Sequence, residues 1–211
     1  MASFKRILAH GLMYGLCLSL SAVPQARENG LEKIVEGDIL GHTSQSSQST
    51  FIKIATWSPY THVGIAVEKD DGMYVLEAVE PVRYTPLDEW VDRGKDDNYT
   101  VMRLKDEYRN HIPSIIEEAE THLGKHYDAH FDPGDDEIYC SELITKAAEE
   151  GAGIQIGEWE SFDDIVGLLR YFPPAKRMIE NRWGDVPSDM EVVTPESVME
   201  SDMLEPVFSN Y

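Results

Sequence analysis

The residues best suited to covalent chemistry in this 211-residue chain are two cysteines, Cys17 and Cys140, and seven histidines. A cysteine attacks only as its thiolate. The first turn of a helix lowers a thiol's pKa by presenting unpaired N–H groups and the positive end of the backbone dipole. Cys140 stands where such a turn is predicted. The acidic loop Asp132 to Glu137, with its Pro and Gly, precedes it, and Ser141-Glu142-Leu143-Ile144 opens an amphipathic helix that runs to about Glu150 and ends at Gly151. A nucleophile there also needs a base.

Position in the secondary structure separates the seven histidines. His10 lies in an N-terminal apolar run, His42 is beside a polar loop, and His111 opens a helix on an exposed face. His122, His126 and His130 flank a break at Gly124. His62 alone begins an apolar strand, in Tyr60-Thr61-His62-Val63-Gly64-Ile65, from which it can face a helix end. The next strand, Val75-Leu76-Glu77-Ala78-Val79, carries a carboxylate in an apolar run. Antiparallel pairing through the Asp70-Asp71-Gly72 turn places Glu77 close to His62 on one face, the two being equidistant from a point between Lys69 and Asp70. A base oriented by a third polar group is the logic of a catalytic triad. Each residue also has a plain structural explanation: a lone cysteine as a small core hydrophobe, a hydrogen-bonded core histidine, a carboxylate at a solvated strand position.

The elements that must position these groups read as strands first and helices after, an α+β order rather than alternating βαβ. A strand starts within Gly37–Leu40, a Ser/Gln-rich loop spans Thr43–Thr50, and a helix covers Phe51–Ser58. Strands follow at Thr61–Val67 and Met73–Val79, a short helix at Leu87–Arg93, and a strand at Tyr99–Leu104. A helix over His111–Leu123 places Ile112, Ile115, Ile116, Ala119 and Leu123 on one face. After the Cys140 helix, Phe162–Tyr171 is helical and stopped by Pro173-Pro174. A last turn begins at Pro195 with Thr194 as its cap.

A length of 211 residues with 42% hydrophobic content suits one domain. The net charge of −21 repels phosphate backbones and anionic membranes, so nucleic acid is not an expected partner. Lys5 and Arg6, an apolar run from Ile7 to Leu20, and small residues at Ser21, Ala22 and Ala26 have the layout of a secretory signal peptide. The expectation is therefore a signal over 1–26, cleaved after Ala22 or Ala26, and a mature domain over 27–211 that is secreted or periplasmic and has no stable membrane span. Cys17 leaves with the signal, and Cys140 remains as a single thiol without an internal disulfide partner.

Several stretches, in order, resemble the permuted, YiiX-like branch of the NlpC-type papain-like amidases. They are Gly37-Asp38-Ile39, Ser58-Pro59-Tyr60-Thr61-His62-Val63-Gly64, Val75-Leu76-Glu77-Ala78, Gly124-Lys125-His126-Tyr127-Asp128, Tyr139-Cys140-Ser141-Glu142-Leu143 and Thr194-Pro195-Glu196-Ser197. The histidine precedes the cysteine here, as in that branch. The resemblance implies a permuted papain-like α+β fold, with a small antiparallel sheet or barrel packed against helices and the nucleophile at a helix N-terminus. It implies Cys140 as nucleophile, His62 as base and then acid, and Glu77 as the group orienting the imidazole. Tyr127, 13 residues before Cys140, falls where ordinary NlpC-type enzymes place a tyrosine near the oxyanion. Tyr139-Cys140-Ser141-Glu142 departs from the Asp/Asn-Cys-Ser-Gly pattern of the ordinary branch, so cell-wall peptide, other peptide and N-acyl substrates stay open.

Two other enzyme-level readings compete. His122, His126 and His130 are spaced by four, but a break at Gly124 separates them, so solvated histidines are expected and no metal or other cofactor is assigned. Lecithin:retinol acyltransferase relatives are similar in placing His before Cys, which keeps acyl transfer open beside hydrolysis; a non-catalytic binding module is the third class. The oligomeric state is not legible.

Overall fold

The computed structural model describes residues 30–46, 48–131, 134, 136–184 and 190–211. The signal-like segment 1–26, with Cys17 and His10, lies outside the described residues, as do Asp132, Pro133 and Asp135 of the acidic loop.

Alternation of Val63, Ile65 and Val67 with Gly64 and Ala66 makes β2 (His62–Lys69) buried on both faces. A two-residue turn, Asp70-Asp71, returns the chain into β3 (Gly72–Glu77). The register pairs Lys69 with Gly72 and Ile65 with Leu76. The pairing is therefore centred between Asp70 and Asp71, one residue later than a direct His62–Glu77 pairing requires, and every cross-strand partner moves by two. Because side chains alternate with period two, the face is unchanged. Glu77 still shares a face with His62, as its diagonal neighbour rather than its direct partner.

β2 and β3 sit inside a six-stranded antiparallel sheet. From one edge to the other it runs β10 (Leu204–Ser209), β5 (Gly94–Leu104), β1 (Ile39–Ser44), β2, β3 and β4 (Arg83–Pro86). Among the described residues its edges, β10 and β4, do not pair, so the sheet is open and the barrel alternative is set aside. One face carries α3 (Ile112–Thr121) and α4 (Cys140–Ala152), which bury Ile115, Leu143 and Ile144 against Ile39, Val63, Ile65 and Leu76. The other face carries α2 (Leu87–Asp92), whose Leu87, Trp90 and Val91 cover Leu40, Ala66, Val75 and Val101. A third cluster joins Phe51 of α1 (Ser49–Thr56) to Phe162 and Val166 of α5 (Phe162–Val166) and to Met190 and Val192.

Several boundaries differ from the sequence expectation. α4 runs through Gly151 and ends at Gly153, whose φ of 67° supplies the left-handed residue that closes a helix. α5 gives way to a 3-10 turn at Gly167–Tyr171, and Pro173 opens α6 (Pro173–Trp183) instead of ending a helix. At the first helical position proline forfeits only an N–H that would have gone unpaired anyway. The cap of α7 (Pro195–Met199) is as expected: the Thr194 hydroxyl oxygen accepts from the Ser197 N–H at 3.0 Å. Two small ladders complete the chain, β6 (His126–Tyr127) parallel to β7 (Glu137–Ile138) and β8 (Trp159–Ser161) antiparallel to β9 (Glu191–Val193). No helix of the described residues is long and apolar enough to cross a membrane.

Candidate active site

Cys140 is the first residue of α4, and its neighbours are tied down on both sides. Tyr139, extended at φ −103° and ψ 171°, is the N-cap, and its N–H donates to the Glu142 carboxylate at 3.3 Å. That is one arm of a capping box. The Val193 N–H donates to the Tyr139 hydroxyl at 3.0 Å, and the Ser141 hydroxyl donates to the Val193 carbonyl at 2.8 Å. β9 thus clamps the helix start from both flanks of the cysteine. Cys140 itself is buried, and the N–H groups of Val63 and Ser141 point at its sulfur.

His62 reaches this sulfur from the far side of the sheet. It shares the Trp90 face with His42, whereas α4 packs on the opposite face. The two groups meet at the sheet's end, where His62 is the first residue of β2 and the α4 N-terminus overhangs it. His62 Nε2–H donates to Glu77 Oε2 at 2.5 Å, which leaves Nδ1 for the thiol. Glu77 is fully buried, and its other oxygen accepts from the Thr85 hydroxyl at 2.5 Å and from the Arg93 guanidinium. A carboxylate buried without such partners would cost several kcal/mol, on the order of the desolvation penalty of a single ion. Here every lone-pair direction that matters is taken.

The electrostatics follow from that packing. Burial alone would raise Glu77, but the His62 hydrogen bond and charge, then Arg93 and Thr85, outweigh it and hold the carboxyl down at about 2. Burial alone would lower His62, but Cys140 and then Glu77 lift the imidazole to about 10. Burial likewise opposes the Cys140 thiolate, yet the His62 charge and hydrogen bond, with the Val63 and Ser141 N–H groups, leave the thiol below its usual value. The favoured state is a buried thiolate–imidazolium pair backed by an ionised carboxylate.

Cys140, His62 and Glu77, singled out in the sequence, are thus brought together. Tyr127 joins them at the rim: the β6–β7 ladder sets it beside Ile138, and it lines both spaces that border Cys140 and His62. Three residues of the site were missed. His42 continues β1 past Leu40, pairs with His62 across the ladder and stacks on Trp90 at 4.0 Å. Burial and then the His62 charge keep its pKa well below the ordinary imidazole value, so it stays neutral. Its alternation with Leu40 was the available signal. Thr85 and Arg93 reach Glu77 from β4 and from just past α2, contacts that only the folded chain creates.

The other histidines do not join the site. α3 ends at Thr121, which separates His122 from the rest. His122 is buried, not solvated, and neither ring nitrogen has a hydrogen-bond partner among the described residues. His126 is exposed and pairs with Glu80 at 2.6 Å. Among the described residues, no three His, Cys, Asp or Glu side chains converge on a point that could hold a metal ion.

Two spaces border the pair. An open cleft of about 630 Å³ is lined by His42, Ser44, Thr61, His62, Glu80 and Tyr127, among others. On the other side a narrow slot of about 40 Å³ ends at Cys140 and Ser141. Residues 33–208 match the model of the permuted papain-like amidase enzymes of the YaeF/YiiX, C92 family. The chain belongs to this family. It is 34% identical over 170 residues to the uncharacterized protein YiiX of Escherichia coli strain K12, covering 80% of this chain and 83% of that one. The crystal structure described as metalloprotein yiiX from Escherichia coli O157:H7, DUF1105, superposes with a TM-score of 0.76 at 32% identity, over 85% of this chain and 99% of that one. Membership of the amidase family and the α+β architecture agree with the order of histidine before cysteine.

Proposed function

We propose that the chain is a cysteine amidase or peptidase that cleaves an amide through a thioester on Cys140. The observation that carries this is the buried relay of Cys140, His62 and Glu77, with the thiol at a helix N-terminus and the imidazole fixed by an ionised carboxylate. The Cys140 thiolate attacks the amide carbonyl carbon, and the oxygen takes up the negative charge. The Cys140 N–H, at the first position of the helix, and the Tyr127 hydroxyl stabilise that oxyanion. His62 Nδ1–H gives its proton to the leaving nitrogen, the C–N bond breaks, and the amine departs. His62, now neutral, takes a proton from water as it attacks the thioester, which releases the acid and restores the thiolate–imidazolium pair. Glu77 stays ionised and holds the ring in place.

The Escherichia coli O157:H7 neighbour is described as a metalloprotein. The donor set on this chain does not fit a metal centre at Cys140. Both Glu77 oxygens are engaged by His62, Thr85 and Arg93, which leaves a cysteine and one imidazole where structural and catalytic sites use three or four ligands. The reaction above needs only the chain's own groups.

Incubating the purified protein with N-acyl amides and with murein peptides, then mapping peptides by mass spectrometry, tests the proposal. An acyl increment on the Cys140 peptide, with no turnover in Cys140→Ala, is expected; turnover that survives Cys140→Ala overturns it. The apolar slot beside Cys140 favours one second reading, transfer of the acyl group to an acceptor other than water, which added amines or alcohols would reveal as new acylated products. We further propose that residues 1–26 are a secretory signal and 27–211 a mature secreted or periplasmic domain. An exported chain beginning after Ala22 or Ala26 supports this, and an intact N-terminus in the cytosol contradicts it.

A further inference from the structure

Glu77 and Glu80 stand three residues apart, and between them they reach both halves of the site. Glu77 holds the His62 ring. Glu80, past the end of β3 on the wall of the open cleft, gives its two oxygens to consecutive residues of β6. His126 Nδ1–H donates to Oε1 at 2.6 Å, and the Tyr127 backbone N–H donates to Oε2 at 2.9 Å. The strand explains why that N–H is available. The Asp128 N–H goes to the Ile138 carbonyl of β7 at 3.2 Å, so the Tyr127 N–H, one residue earlier, leaves β6 on the opposite side. There the segment after β3 takes the place of a further strand. The Val82 N–H donates to the Lys125 carbonyl at 2.9 Å, and the Gly124 N–H donates to the Val82 carbonyl at 3.0 Å.

We propose that Glu80 is a positioning residue for Tyr127, fixing the backbone from which the tyrosine reaches the oxyanion. The assignment rests on Tyr127 acting there, as set out above. An oxyanion donor is effective only when it is held in place before the charge develops. Tyr127 sits on a strand of two residues, which by itself holds a side chain poorly. Glu80 supplies the second anchor, and His126 turns the carboxylate so that Oε2 stays on the Tyr127 N–H. Both partners of the Glu80–His126 pair are exposed, so the pair adds little to the stability of the fold. The charge on Glu80 opposes a direct electrostatic role, because a carboxylate on the cleft wall repels a developing oxyanion. Whatever Glu80 adds to the rate therefore comes through geometry.

Two reagents separate the oxyanion from the thiolate. In acylation by p-nitrophenyl acetate the Cys140 sulfur bonds to the carbonyl carbon, the oxygen carries the negative charge, and p-nitrophenolate then leaves with the C–O electron pair. Alkylation by iodoacetamide displaces iodide at a saturated carbon and forms no oxyanion. Tyr127→Phe is expected to slow acylation about 10²-fold. Glu80→Ala, and Glu80→Asp, which keeps the charge but falls one methylene short, are each expected to slow it about tenfold. Glu80→Gln, which keeps the acceptor and loses the charge, is expected to restore the rate to within about threefold of wild type. Combined with Tyr127→Phe, Glu80→Ala should cost nothing further, since both act through one hydroxyl. Iodoacetamide rates should stay within about twofold throughout. Circular dichroism establishes which Glu80 variants fold, and either Glu80→Ala or Glu80→Asp is sufficient. Acylation at the wild-type rate in a folded Glu80 variant, a Tyr127→Phe variant as fast as wild type, or multiplied losses in the double variant each overturn the assignment while Cys140 remains the nucleophile. If p-nitrophenyl acetate leaves no acetyl group on the wild-type Cys140 peptide, the amidase reading and this assignment fall together.

Discussion

Glu77 meets His62 as a diagonal neighbour across the β2–β3 hairpin, Oε2 to Nε2 at 2.5 Å, with no solvent reaching the carboxylate. The diagonal matters because it leaves Gly64 in the row beside Glu77, where a side chain would have crowded Val75 and the Glu77 Cβ. It also leaves Oε1 free to accept from Thr85 and Arg93. One carboxylate thereby fixes the His62 ring and ties β4 and the end of α2 to the site.

Glu77→Gln keeps the shape and removes the charge. The His62 imidazolium then loses its main structural counter-ion besides the thiolate, and its titration should fall below the present value of about 10. Amide hydrolysis should drop about 10²-fold or more, the usual range for a disabled acid–base group. Glu77→Ala goes further and strands His62 and Arg93, which should destabilise the fold by about 3–5 kcal/mol. Steady-state kinetics and urea unfolding of the two variants check this; unchanged kinetics in Glu77→Gln would remove Glu77 from the mechanism.

Stability should depend on pH in a way set by these two groups. Glu77 is held at about 2, below its ordinary 4.5, so its contribution is fully present above 4.5 and is lost as pH falls towards 2. His62 is raised to about 10 from 6.5, so its contribution is complete below 6.5 and is lost as pH rises through 10. The two contributions coincide between 4.5 and 6.5. Unfolding free energies from pH 2 to 7 should show an acid-side loss that is visibly shallower in Glu77→Gln, and identical slopes in the two proteins would be the contrary result.

Gly64 has a packing reason to be glycine. A Cβ there would lie 2.4 Å from Val75 Cγ1 and 3.3 Å from Glu77 Cβ. Gly64→Ala should therefore push β3 outward and cost about 1–3 kcal/mol, the range for overpacking a filled core. Since β3 carries Glu77, activity should fall along with thermal stability. A variant that loses stability but keeps full kcat at low temperature would show that the hairpin yields without moving Glu77.

Much of the site was legible because its signals are local. Cys140 follows a loop and begins an amphipathic run, and His62 begins an apolar one. The shared face of His62 and Glu77 is legible despite the changed register because parity is insensitive to a shift of two. What escaped depended on tertiary contact or on a misread boundary. His42 was hidden by ending β1 at Leu40, although alternation continues through it. Arg93 reaches Glu77 only because α2 packs over the sheet. Pro173 reads equally as a stop or as a first helical residue, and only its neighbours decide. β10 gave no strand signal, since Pro206 weakens it and its partner β5 is about a hundred residues away; as an edge strand with a bulge after Pro206, it tolerates the proline.

The central claim is that His62 keeps the Cys140 thiol ionised near and below neutral pH. The most direct measurement is the rate of Cys140 carboxamidomethylation against pH, in the wild-type protein and in His62→Ala, with a free cysteine peptide as reference. Cys140 and Cys17 are the chain's only cysteines, so peptide mapping assigns the label without ambiguity. The wild-type rate should stay nearly flat from pH 8 down to pH 6 and exceed that of the peptide at the acid end, while His62→Ala should lose the plateau and fall about tenfold per pH unit. A wild-type rate that tracks the free peptide at every pH, unchanged by His62→Ala, would contradict the account.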